Sequence, residues 1–112
     1  MTSVSSSIYN TNMRELKKEE MFDWDAANSE KSWIKHGVTN EESEEAFFDP
    51  NKRNWIDTPH SKSEKRYIIL GKTKKDRLLF IVFTLRYGRI RVISARDANR
   101  REKQMYEEAK KA

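Results

Sequence analysis

The reading of the fold turns on residues 77–102, RLLFIVFTLRYGRIRVISARDANRRE. Leu78 to Phe83 is an unbroken apolar run rich in β-branched and aromatic side chains. That is the composition of a central strand covered on both faces, so Arg77–Arg86 is predicted as one strand. Tyr87-Gly88 supplies a turn, and Arg89–Ala95 is the next strand. Asn99 and Glu102 carry the spacing of a capping box and open a C-terminal helix, whose inner stripe is expected to be Glu102, Met105, Tyr106 and Ala109. Upstream, Lys74, Lys75 and Asp76 form a turn. Glu64–Lys72 reads as a strand through Tyr67, Ile68, Ile69 and Leu70, and Arg53–Ile56 as a short strand around Trp55.

The first half has a different period. Asp25 is a natural N-cap for a helix to His36, with Gly37 as the residue that ends it. Its apolar stripe is weak: Trp33 lies over Ser29, and Ile34 over Glu30. Thr39 or Asn40 caps a second helix through Phe48, with Glu41 and Glu42 in the favourable first turn. Proline disfavours helical backbone in the residue before it, so Asp49-Pro50 ends that helix. A short strand is expected at Met21–Trp24. Residues 1–20, MTSVSSSIYNTNMRELKKEE, are polar and then charged; they read as a flexible N-terminal extension with a helical turn within Met13–Met21, ahead of one domain at 21–112. The predicted class is α+β: an antiparallel meander sheet with two N-terminal helices and one C-terminal helix covering it. Trp24, Trp33 and Trp55 are assigned to the core.

At 112 residues the chain has room for one modest core. It contains no cysteine, which excludes disulfides and thiolate zinc sites and suits a reducing compartment. The longest apolar run falls far short of the roughly 20 residues of a membrane span. No signal-peptide pattern is visible, so a soluble, cytoplasmic protein is expected. The net charge of +5 is unevenly spread. Residues 21–58 hold four basic and nine acidic side chains, whereas residues 59–112 hold sixteen basic and six acidic. The second half is suited to a polyanion, and the first half is expected to repel one. Several arginines fall within predicted strands, where a planar fork suits phosphate better than a solubilising lysine would.

The chemistry narrows by what is missing. Two histidines 24 positions apart make no metal-ligand spacing, and three glycines form no phosphate-cradling loop. No G-x-S-x-G elbow appears. What remains is arginine, glutamate, histidine and tyrosine on a basic sheet. Those residues suit RNA phosphodiester cleavage, in which the substrate's own 2′-OH attacks. Strand alternation puts Glu64 and Arg66 on one face, either as a catalytic pair or as an ion pair at the sheet edge. Arg91 and Arg96 are an odd number apart, so a regular strand sends them to opposite faces. They share a face only if the chain bulges near Ser94. His60 sits in a loop before Glu64, and His36 caps a helix C-terminus. Arg100 and Arg101 stand in the first helical turn, where acids are preferred, which points to phosphate contact. Lys72, Lys74 and Lys75 sit at a hairpin turn, as a solvated tip or as steering charges for RNA.

In order along the chain, Trp24-Asp25, Lys35-His36-Gly37-Val38 and Glu44-Glu45-Ala46-Phe47-Phe48-Asp49-Pro50 are followed by Asp57-x-x-His60-Ser61-x-x-Glu64-x-Arg66-Tyr67 and Leu70-Gly71. The series closes with Arg89-Ile90-Arg91-Val92-Ile93-Ser94-Ala95-Arg96, Arg100-Arg101-Glu102 and Tyr106. Over roughly residues 21–108 this pattern resembles the BrnT family of type II toxins. In one departure, Asn28 and Ser32 stand where the family pattern has Lys and then Asn. The resemblance implies a RelE-like sheet and ribonuclease activity that arrests translation. It also implies neutralisation, in a hetero-oligomer, by a BrnA-like antitoxin with a ribbon-helix-helix part through which the complex reaches DNA. Chemistry and strand alternation then assign roles. Arg91 and Arg96 hold the scissile phosphate, Glu64 or His60 accepts the proton, Arg66 orients that acceptor, and Tyr106 assists. Arg89, Arg100, Arg101, Lys72, Lys74 and Lys75 contact RNA; no metal or cofactor is expected. The alternatives are a non-catalytic basic binding module, and a vestigial toxin acting mainly as the antitoxin's partner.

Overall fold

The computed structural model describes residues 18–60 and 63–111. Two helices, α1 (Ala26–His36) and α2 (Asn40–Phe47), precede four strands, and helix α3 (Arg100–Lys111) follows them. The strands are β1 (Arg53–Ile56), β2 (Tyr67–Lys72), β3 (Leu78–Arg86) and β4 (Arg89–Asp97). They pair antiparallel in the order β1-β2-β3-β4, the meander expected of an α+β chain.

Local chemistry sets the helix ends. Asp25 and Asn28 cap each other reciprocally at α1, as Thr39 and Glu42 do at α2. Gly37 closes α1 at φ +63°, a left-handed conformation that costs glycine nothing. Arg77 ties these ends together. It forks onto Asp97, bonds Glu42 and donates to the carbonyls of His36 and Gly37.

Helix α2 covers one face of the sheet, where Val38 and Ala46 join Ile69, Leu79, Ile81, Phe83, Val92 and Ala95 in one buried cluster. The approach is close enough that a Cβ on Gly71 would lie 2.2 Å from the Ala46 carbonyl oxygen. On the opposite face, Tyr106 of α3 packs with Leu70, Leu78 and Ala98. β3 is buried on its α2 face, whereas on the opposite face only Leu78 and Thr84 are buried and Phe80 and Val82 between them are half-buried.

Helix α1 departs from expectation. It buries Asn28 and Ser32, while Trp33 and Ile34 are 58% and 75% exposed. The cause is where it lies. β4 is an edge strand, and α1 runs along its free edge and supplies polar partners to its backbone. Asn28 Nδ2 donates to Val92 O at 3.1 Å, and Ala95 N donates to Ser32 Oγ at 3.0 Å. Trp33 is thus not a core residue, and Trp24 and Trp55 are only half-buried.

Three further boundaries differ. Met21 ends a helical turn at Lys18–Met21, so Met21–Trp24 is no strand, and Phe22 forms only an isolated parallel bridge to Ile90. The earlier part of the expected extension lies outside the described residues. β2 starts at Tyr67 and not at Glu64, because the Thr84 hydroxyl takes the Lys65 carbonyl at 2.8 Å in place of a strand partner. β4 continues past Ala95 to Asp97. On α3, Met105 is 41% exposed and drops out of the inner stripe, leaving Tyr106 as its buried anchor.

Candidate active site

The register of β4 slips by one residue. Val82 pairs with Ser94 and Phe83 with Val92, which leaves Ile93 as the extra residue of a bulge. Arg91, Ser94 and Arg96 consequently lie opposite Thr84, Val82 and Phe80, all on the face away from α2. The bulge that the arginine spacing required is present, and Asn28 and Ser32 bond the backbone on either side of it. The two guanidinium groups share a face without meeting. Four β3 positions separate their partners, about 13 Å along the strand.

One group of side chains gathers at the end of the sheet where β3 turns into β4. Glu64 receives a forked pair of hydrogen bonds from Arg86, at 3.0 Å from Nε and 3.2 Å from Nη2. Arg91, with a largely covered side chain, bonds Asp25 at 2.9 Å and reaches Asp23 at 3.5 Å. The Arg86 hydrogen bonds hold the Glu64 carboxyl below its usual range, and the charges of Arg66 and Arg91 add to this. Asp25 is lowered first by Arg91 and then by the Asn28 backbone N–H. The sequence reading paired Glu64 with Arg66; the residue that holds it is Arg86. Glu64 and Arg66 precede the strand, so strand alternation does not apply to them.

The remaining candidates lie elsewhere. Arg96 forks onto Glu102, with both bonds at 2.9 Å, and stacks over the Phe80 ring at 4.0 Å. Burial of Glu102 opposes its ionisation, but the bonds from Arg96 and the Asn99 backbone outweigh it and lower its pKa. The Tyr106 hydroxyl donates to Asp49, and burial followed by that bond raises the phenol well above its ordinary range. Tyr106 is a core anchor at the far end of the face, beside Lys72. Lys72 ends β2, and Lys74 and Lys75 belong to the β2–β3 turn, about 26 Å along β3 from Arg86. Arg89 donates to the Phe22 carbonyl at 2.6 Å, and Arg100 and Arg101 are exposed at the start of α3. His60 ends a short turn, Thr58–His60, and its side chain lies outside the described part. Among the described residues, no three His, Asp or Glu side chains are grouped to hold a metal.

Arg86, Asp23 and Asp25 were missed as site residues. For Arg86 a signal existed: it directly faces Arg89 across the turn, and two like charges in that position destabilise a hairpin unless each has another partner.

The fold and this cluster define a small α+β domain whose arginines, paired with carboxylates, line one end of a four-stranded antiparallel sheet. Residues 24–102 match the family described as ribonuclease toxin, BrnT, of type II toxin-antitoxin system. The chain belongs to the BrnT family. It is a toxin of a type II toxin–antitoxin system, and membership implies an RNA target and an antitoxin partner. None of the curated proteins matches the chain. Among the described residues no helix is long and apolar enough to cross a membrane.

Proposed function

We propose that the chain is an endoribonuclease that cleaves RNA without a metal ion, with the reacting phosphate bound at the cluster of Glu64, Arg66, Arg86 and Arg91. The observation that carries the reading is the forked Glu64–Arg86 pair at the sheet end that also holds Arg91 on Asp25. Glu64 accepts the 2′-OH proton, and Arg86 and Arg91 stabilise the charge that develops on the phosphorus oxygens. Self-attack leaves a 2′,3′-cyclic phosphate and a 5′-OH. Arg96, on the same face, takes a neighbouring phosphate of the strand, and His60 is the remaining candidate for the leaving oxygen's proton. Arg89, Arg100, Arg101 and the turn lysines extend the field that steers RNA.

The same reading makes the domain RelE-like, places its action in the cytoplasm and makes translation its target. A BrnA-like ribbon-helix-helix antitoxin silences it and alone contacts DNA. One observation favours a second reading: Arg86, Arg91 and Arg96 are all paired with carboxylates, which suits a binding module that does not cut. Incubation with single-stranded RNA in excess chelator separates the two. Cyclic-phosphate ends that disappear in Glu64→Gln and Arg91→Ala support the enzyme. Intact RNA beside protein that is folded by circular dichroism overturns it.

A further inference from the structure

The β3–β4 hairpin turns in two residues, Tyr87 and Gly88, between the paired Arg86 and Arg89. Both turn residues have positive φ, +52° and +76°, which is what a two-residue turn needs to match the twist of its strands. Asn-Gly, Asp-Gly or Gly-Gly meets that need without strain; a bulky aromatic there is an outlier. The Tyr87 ring is also fully exposed, so it contributes nothing to the core. A residue held in poor backbone geometry, with no packing in return, points to use by something outside the fold.

Its surroundings indicate what. Tyr87 directly follows Arg86, at the sheet end that also carries Arg91. An exposed ring next in sequence to one arginine, at a sheet end that carries another, is the composition of a platform for single-stranded nucleic acid: cations take the phosphates and the ring takes the face of an unpaired base. In duplex RNA the bases are already stacked on one another, and no face is free for a protein ring.

We propose that Tyr87 stacks on an unpaired base next to the phosphate held at the Arg86–Arg91 cluster, and so selects single-stranded over duplex RNA. The inference rests on the reading of the chain as an RNA cutter. The test uses the whole chain and a fluorescein-labelled, mixed-sequence RNA methylated at every 2′-OH to block self-attack, offered single-stranded or as a duplex. Tyr87→Phe keeps the ring, and Tyr87→Asn suits the turn. Expected is single-strand affinity within about twofold of the parent for Tyr87→Phe, and a loss on the order of ten- to a hundredfold for Tyr87→Asn. Duplex affinity stays unchanged, and the Tm of Tyr87→Asn is equal or higher. Parent-like single-strand binding by Tyr87→Asn overturns the inference and leaves the RNA cutter intact. An equal loss in Tyr87→Phe, or a lower Tm in Tyr87→Asn, also overturns it, because the ring is then not acting as a stacking face. A folded parent that binds no single strand at low salt overturns both readings together.

Discussion

Replacing Asn28 with alanine tests whether α1 is held to the sheet by hydrogen bonds and not by apolar packing. The side chain is 5% exposed. Its Oδ1 accepts from Asp25 N at 2.8 Å, and its Nδ2 donates to Asp23 O at 3.0 Å and Val92 O at 3.1 Å. Alanine removes all three bonds. At about 1 kcal/mol each, with a further 1 kcal/mol or so for leaving the Val92 carbonyl unpaired inside the α1–β4 contact, the loss is roughly 4 kcal/mol. The better helix propensity of alanine returns about 0.5 kcal/mol. A net loss of about 3.5 kcal/mol lowers the Tm by roughly 14–21 °C in a domain of this size. Thermal melts followed at 222 nm, with urea titrations alongside, measure it. Lys31→Ala, exposed on the same helix, is the control and should stay within about 0.5 kcal/mol of the parent. A loss in Asn28→Ala below about 1 kcal/mol would refute the reasoning, since the strands alone would then hold the bulge.

Gly71→Ala forces a Cβ to 2.2 Å from the Ala46 carbonyl, so the chain should lose more than about 3 kcal/mol or fail to accumulate as folded protein; a parent-like melt contradicts this. Arg91→Ala should lower the RNA cleavage rate by about 10²–10³. Asp25→Asn keeps a good N-cap while weakening the hold on Arg91. RNA binding at low salt should therefore tighten with little change in Tm, and equal or weaker binding counts against competition between Asp25 and phosphate. The Glu64–Arg86 pair lowers the Glu64 pKa, so its contribution is complete above the ordinary glutamate range and fades as pH falls through the lower, folded value. Urea midpoints of the parent and Glu64→Gln should accordingly run parallel from pH 8 to about 5 and converge in stronger acid; parallel curves throughout would mean the pair adds nothing.

The parts legible in the sequence are those set by near neighbours. The apolar run at Leu78–Phe83, the Tyr87-Gly88 turn and the Asn99–Glu102 capping box each carry their signal within a few residues, and the structure has all three. The buried face of α1 was not legible, because Asn28 and Ser32 are buried by bonding to a strand edge more than sixty positions away. Hydropathy periodicity registers apolar burial only. The start of β2 was misread for a similar reason: Thr84 intervenes from 19 positions downstream. The bulge lies in between. The parity of Arg91 and Arg96 stated it as a condition, and only the register of β3 against β4 could supply it. Strand alternation pairs Arg66 with Glu64, but both precede β2, and the hairpin brings Arg86 to Glu64 across 22 positions.

The charge asymmetry also takes on another meaning in the fold. As sequence, the acidic stretch 21–58 looked like a surface that repels polyanions. Folded, it sends Asp23 and Asp25 to Arg91, and Glu42 to Arg77. On the sheet face that carries Arg86, Arg91 and Arg96, Arg91 draws its carboxylates from that stretch, while Arg86 and Arg96 pair with Glu64 and Glu102 of the basic half. The carboxylates therefore let the arginines be placed there at all, and they fix the rotamers of long side chains before any substrate arrives. The Arg86–Glu64 pair is open to solvent and contributes little net stability, so under the proposed function exchanging its carboxylate for an RNA phosphate, which also suits the planar guanidinium fork, costs little. Under the proposed function, this pairing works as pre-organisation: guanidinium groups already aimed at an anion lose less freedom when the anion is a phosphate.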